Sequence, residues 1–430
     1  MKLEMGTFKI EQVIFGRKTC LDNGVLEINR EELINYLSED KTFSEAGLEI
    51  VTPGENARIV HVIDAVEPRF KDGNTVPYAG VDSPVGQLGE GTTYRMDGVA
   101  VLTSCEFPLI RHGGLNIVRD SVLDMVGPGG PLTPFSSTIN VVCTLKLQPR
   151  MDEDQYEQSV RIAGIRAARY LGNVLQGLVP DTITQYTLEG AKDGLPKVAY
   201  LYQVHSVGLN LSSFFYNMRF DNLLPIIVHP NEILDGAVVD GNWSHPNVKT
   251  PTWFHTNNSV IRELYQRHGK SLNFVGVVLF RGRFEEMEGK KRCSNLVAAS
   301  AQLLNAKGVV ATWEGDGNAF IETMLSLKAC EERGIKTALM TFEHGGAEGV
   351  DDPLFYSEPE VDAIVSLGSW DPPMTLPPVD RVVGGDHLRI SPEQGGIYLP
   401  AKDEITLVDR LEYFTAANEF GFSKLSCEQY

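Results

Sequence analysis

The sequence predicts an α/β protein, a β-rich N-terminal half followed by a doubly wound, mostly parallel α/β half. Three observations predict it. Up to residue 150, apolar and polar residues alternate along short runs broken by Gly, Pro and Asp. Beyond residue 195, apolar runs of strand length alternate with segments of helical period. The stretch GVVATWEGDGNAFIETMLSLKACEERGIKTALMTFEHGGAEG, residues 308–349, reads as one complete β-α-β unit.

In that unit Val309 and Val310 form a first strand ending at Trp313-Glu314-Gly315-Asp316-Gly317. Ile321, Met324, Leu325 and residues 327–330 lie at helical spacing, and residues 337–340 form a second strand ending at Glu343-His344. Parallel strands joined by a right-handed crossover release both loops on one edge of the sheet, where ligands bind in open α/β folds. Each loop carries an acid and a ring residue. The ordinary alternative is a pair of strand-to-helix turns using Gly for backbone freedom and an acid as a cap.

Taken in order, FKIEQVIFG, GVLEI, ARIVHVIDAVEPRF, GTTYRMDGVAVLTSC and STINVVCTLKLQ read as strands of a domain over residues 1–150. One helix over residues 30–38 interrupts them, capped by Asn29. DMVGPGGPLTPFS, residues 124–136, is too rich in Gly and Pro for regular structure. Residues 151–194 form a helical connector, with acids at the start of a helix over 152–175 and Pro180 beyond it. Residues 195–430 form the Rossmann-like α/β domain, with strands in KVAYLYQVHS, LLPIIVHP, NFVGVVLFRG and AIVSLG and helices over 260–268 and 294–305. No GxGxxG or GxxxxGK[ST] opens a helix, so no nucleotide cofactor is supported.

The chain has 430 residues, 42% of them hydrophobic, enough for two cores. Its 57 acids against 38 Lys and Arg give a net charge of −19, which repels nucleic acid and anionic membranes alike. No signal-peptide core and no long apolar run is present, so the cytoplasm is the expected compartment. Six cysteines without a CxxC pair argue against structural zinc and a disulfide framework. Among them only Cys105, at a strand end, has a setting that could suit a nucleophile; the alternative is a small buried residue.

Residues 230–285 resemble the pyruvoyl-forming proprotein subunit of glycine/sarcosine/betaine reductase component B, a family related to the proline reductase proprotein. The resemblance extends through VEPRF (66–70), VGPGGPLTPFS (126–136), EQSVRIAGIRAARYLG (157–172), LPKVAYLYQVHSVGL (195–209) and LPPVDRVVGG (376–385), and covers nearly the whole chain. It implies a cytoplasmic oxidoreductase component that pairs with a selenocysteine- or cysteine-containing subunit. It also implies self-cleavage at a Cys following Gly-Asn, leaving a pyruvoyl group whose carbonyl condenses with the substrate amine. The partner's selenol or thiol then attacks the carbon bearing nitrogen.

Here the matching Gly241-Asn242 is followed by Trp243, which has no thiol or hydroxyl. Processing at that bond is not expected, and no cofactor is assigned; a slower serine-driven cleavage before Ser244 is the alternative. Without the carbonyl, the substrate must be held otherwise. Trp243, Trp253, Trp313 and Trp370 all fall in predicted loops and could form an aromatic cage for a quaternary ammonium or a flat ring, the alternative being core or interface tryptophans. His245, His255 and His344, the last beside Glu343, are candidate proton donors, and Glu314 and Asp316 could hold a cation or move a proton. No metal-ligand spacing is present.

The expectation is a subunit of a hetero-oligomeric reductase that cleaves a carbon–heteroatom bond, C–N by preference, in a small-molecule substrate. The competing reading is a non-catalytic scaffold that stabilises and positions its partner.

Overall fold

The computed structural model describes residues 1–106, 120–149, 153–206, 212–241, 246–282, 286–315, 317–390 and 397–422. In the C-terminal half a six-stranded sheet runs in the order Ile226–Val228, Asn273–Gly282, Lys197–His205, Gly308–Thr312, Lys336–Glu343, Ile364–Ser369. All neighbours are parallel except Ile226–Val228, which is an antiparallel edge. Chain order reverses between Lys197–His205 and Gly308–Thr312, so the topological switch point lies at the C-terminal ends of those two strands.

A parallel sheet buried on both faces needs apolar residues at consecutive positions, and Lys197–His205 provides them. Ala199 and Leu201 pack under the helices Met287–Leu303 and Gly317–Glu331 with Val297, Ala301, Phe320 and Met324. Tyr200, Tyr202 and Val204 face the other way, toward the helix Ser259–Arg267 with its Ile261 and Leu264. The β-α-β unit read from the sequence is present as Gly308–Thr312, Gly317–Glu331 and Lys336–Glu343. The helix expected over 294–305 spans Met287–Leu303; its first turns, MEGKKR, are polar and carry no apolar period by which the sequence would show them.

The N-terminal half is built on strands, as its alternation indicates. Phe43–Val51, Ile139–Leu147, Val99–Cys105 and Val62–Val66 form one sheet, against which the helix Glu153–Gly172 buries Val160, Ala167 and Leu171. Asn29 caps the helix Arg30–Leu37 by accepting from the Glu32 N–H at 3.2 Å.

The tail returns to the first half. Arg381–Val383 adds a parallel strand to Ala57–Val60. The fully buried Arg58 makes a bidentate pair with Asp124 at 2.7 and 2.9 Å and also donates to the Ala401 and Pro377 carbonyls, both at 2.8 Å. One apolar cluster draws Leu3, Ala65 and Phe135 from the first half together with Tyr202, Phe254 and Phe420 from the second. Among the described residues no helix is long and apolar enough to cross a membrane.

Candidate functional site

At the switch point the strand Gly308–Thr312 hands over to Trp313 and Glu314, and Gly315 turns the chain away with φ of +102°. A Cβ there would also stand 3.0 Å from the His205 ring, so both conformation and space call for glycine. Glu314 is only 1% exposed. Its Oε2 accepts from the backbone N–H of His205 at 2.9 Å, and its Oε1 accepts from the Tyr202 hydroxyl at 3.4 Å. The same Tyr202 oxygen is hydrogen-bonded to Nδ1 of His255, which the short helix Thr252–Thr256 brings in from the opposite side.

Four carboxyl groups converge here around one ammonium. Asp240 ends the strand Val238–Asp240 and pairs with Lys249 at 3.0 Å; both are almost wholly buried. Asp64 accepts from the N–H and the hydroxyl of Thr252 at 2.9 and 2.7 Å. Glu419, 2% exposed, has neither carboxylate oxygen hydrogen-bonded to another described residue. One Lys cannot neutralise four carboxylates in a dry interior, so the acids take up protons. Burial, with Asp240 adding to it, pushes Glu314 well above the usual carboxylate range, and burial does the same to Glu419. Burial also drives Asp64 up to about 7, against the pull of Lys249. His255 moves the other way, down to about 3, because burial and Lys249 both oppose a second positive charge.

The result is an uncharged relay of Glu314, Tyr202 and His255 that can pass a proton without creating a buried charge. The acids can alternatively ionise around an incoming cation. No three His, Cys, Asp or Glu groups among the described residues are placed to ligate a metal. Asp240 leads directly into Gly241, whose missing side chain matters: a Cβ would lie 2.5 Å from Glu157 Oε1 and from the Phe214 ring.

Of the residues expected from the sequence, Glu314 and His255 are brought together by Tyr202. Asn242, Trp243, Ser244, His245 and Asp316 lie outside the described residues. Trp313 is 1% exposed, with its ring against Phe320 and Phe342 and its N–H donated to Thr341 Oγ1 at 2.9 Å. Trp370 donates its N–H to Nδ1 of His344 at 3.0 Å, and Asp371 stands 3.6 Å from the same nitrogen. Burial lowers His344 to about 4. Phe355 touches both Trp313 and His344, so the two loops do open on one edge of the sheet. Glu343, half-buried, precedes that pair. Trp253 belongs elsewhere, packed on Phe135, Phe254 and Phe422. Among the described tryptophans the packing is that of core rings, and Trp253 shares no ring contact with Trp313 or Trp370. Cys105 is buried, with its thiol pushed far up by desolvation, which leaves no thiolate for attack.

Sequence reasoning missed Tyr202, Asp64, Asp240, Lys249 and Glu419. Asp64 and Asp240 did leave a trace, each a lone acid in an apolar run, VIDAV and AVVDG. Glu419 and Lys249 left none, since they reach the site from loops.

The model of glycine/sarcosine/betaine reductase component B subunits matches residues 1–428. The chain is 34% identical over 441 residues to the glycine reductase complex component B subunits alpha and beta of Acetoanaerobium sticklandii, with both chains covered in full. It is 35% identical to the sarcosine reductase complex component B subunit alpha of Peptoclostridium acidaminophilum, over 89% of each chain. The betaine reductase complex component B subunit alpha of the same organism is 32% identical, over 89% of this chain and 88% of its own. No solved structure matches the chain. With the match running from end to end and including the strand ends that carry Tyr202, Asp240 and Glu314, the chain belongs to the family of glycine/sarcosine/betaine reductase component B subunits.

Proposed function

We propose that this chain is the substrate-chamber subunit of a reductase complex that reductively cleaves a C–N bond of a small substrate, working with a partner subunit that carries a reactive selenocysteine or cysteine. The observation that carries this reading is Glu314, a buried and protonated carboxyl at the switch point, wired through Tyr202 to His255. In the proposed step the partner's selenolate or thiolate forms a bond to the carbon bearing nitrogen. The C–N bonding pair leaves with nitrogen, which takes the proton that Glu314 holds.

A pyruvoyl group does not fit this chain. Asp240 and Gly241 lead into the position from which relatives would make it, but the residue there is Trp243, and an indole cannot attack its own carbonyl. The substrate is therefore held without an imine, and Asp240 and Glu419, ionised around an incoming cationic nitrogen, offer charge complementarity in its place while Glu314 keeps its proton.

The test is to purify the chain with its copurifying thiol or selenol subunit and to compare Glu314→Gln with the native pair. Loss of turnover in a complex that still assembles on a sizing column supports the proposal. Undiminished turnover of that variant, with activity falling only when assembly fails, would establish the scaffold reading instead.

A further inference from the structure

On the opposite side of the helix Ser259–Arg267 from the sheet strands lies a second polar chamber. Its floor is one face of the sheet formed by Thr182–Thr187, Lys2–Lys9 and Gly91–Asp97. The register places Thr184 opposite Met5, and Thr182 and Arg95 on either side of Thr7, so these side chains share a face. The helix covers it on one side through Arg262, Tyr265 and Gln266, and the volume of this half-open cavity is about 470 Å³. That is the size of a small-ligand pocket.

Two guanidiniums meet in this chamber. Arg95 is fully committed: it donates to Glu67 at 2.9 Å, Asn257 at 2.6 Å, Asp97 at 3.0 Å and Thr7 at 3.2 Å. Glu67 in turn is shared with Arg69 at 2.7 Å, so this fully buried carboxylate already serves two arginines. Arg262 is left over. Its hydrogen-bond acceptor is the neutral side-chain carbonyl of Asn257 at 2.5 Å; among the described residues its Nε–H has no partner, and Glu67, already held by Arg69 and Arg95, attracts it without a direct ion pair. Burial and the neighbouring Arg95 together pull its pKa down to about 10, outweighing the attraction of Glu67, which two other arginines share. A half-buried guanidinium crowded by a second one and without an ion pair of its own is costly in a folded protein, and in a chain of net charge −19 it is not part of a general basic surface.

We infer that this chamber is a binding site for a small oxyanion, a carboxylate or a phosphate, gripped by Arg262 with Arg95 behind it and the hydroxyls of Thr7, Thr182 and Thr184 around it. Guanidinium forks match both oxyanions in charge and geometry. The site is distinct from the acid relay, and it touches the same segment: Asn257 faces the arginines while His255, on the preceding turn, faces Tyr202.

The experiment is isothermal titration of the full chain with inorganic phosphate and, separately, with acetate, each at constant ionic strength balanced with sodium chloride. Saturable binding of at least one is expected, and which of the two binds more tightly identifies the oxyanion. Arg262→Gln should weaken that binding at least tenfold, and Thr184→Glu, which places a tethered carboxylate from an exposed strand position, should abolish it. Absence of binding by either anion beyond the chloride control, or native affinity in Arg262→Gln, overturns the inference. Should Arg262→Gln fail to fold, native affinity in Thr184→Glu does the same.

Discussion

The carboxylate oxygen of Glu314 accepts the backbone N–H of His205 at 2.9 Å, tying together the ends of the two strands between which the sheet reverses its order. That bond fixes the acid against the main chain, and Tyr202 fixes its other oxygen. A group held this way acts as a positioned proton donor only while it stays neutral.

Glu314→Gln preserves shape and neutrality. Because the folded-state pKa of Glu314 lies above its unfolded value, the native state binds the extra proton. The contribution of this group to stability is present at low pH and is lost as pH rises through the folded pKa. Glu314→Gln should therefore gain on the native protein in urea midpoint as pH is raised from 5 to 8, while turnover falls by roughly two orders of magnitude, as for loss of a general acid. A pH-independent stability difference would contradict the neutral carboxyl.

Among the described residues Lys249 is the cation that faces Asp64 and Asp240. Lys249→Met should cost roughly 3–5 kcal/mol at neutral pH, the range for breaking a buried pair. The loss should shrink on acidification toward pH 4, as the orphaned carboxyls take up protons, and chemical denaturation at the two pH values would show it.

Tyr202→Phe removes the hydroxyl that joins Glu314 to His255. A stability loss of about 1–2 kcal/mol is expected, the cost of leaving a buried acceptor unpaired. Turnover should fall with little change in assembly. His255 itself, lowered to about 3, should show no imidazole titration between pH 5 and 8 in NMR spectra, whereas His387, raised by its hydrogen bond to Asp386, should titrate above the ordinary histidine value.

Trp313→Ala should destabilise by about 3–5 kcal/mol as a core truncation, with the lost Thr341 hydrogen bond included. Trp370→Phe keeps an aromatic ring but loses indole volume and the bond to His344, so its cost should be about 1–3 kcal/mol. Thermal unfolding of both variants would separate the two roles.

Denaturing mass spectrometry of the purified chain should give one full-length species, and a carbonyl-reactive hydrazine should leave it unlabelled. Two fragments, or a labelled one, would refute the absence of a pyruvoyl group.

The sequence by itself determined the architecture of the second half, because parallel strands and their crossover helices announce themselves by local period: residues 308–349 read as strand, helix and strand and fold as such. It also determined the residue that departs from the family pattern, Trp243, and pointed to Glu314 and His255. Tertiary structure alone decided what those two do. Their meeting through Tyr202, the protons forced onto Asp64 and Glu419, and the crowding of Arg262 against Arg95 arise from groups distant in the chain being brought together where water solvates them poorly. Local sequence patterns record which face of an element turns inward, and carry no information on which charges will share a dry interior.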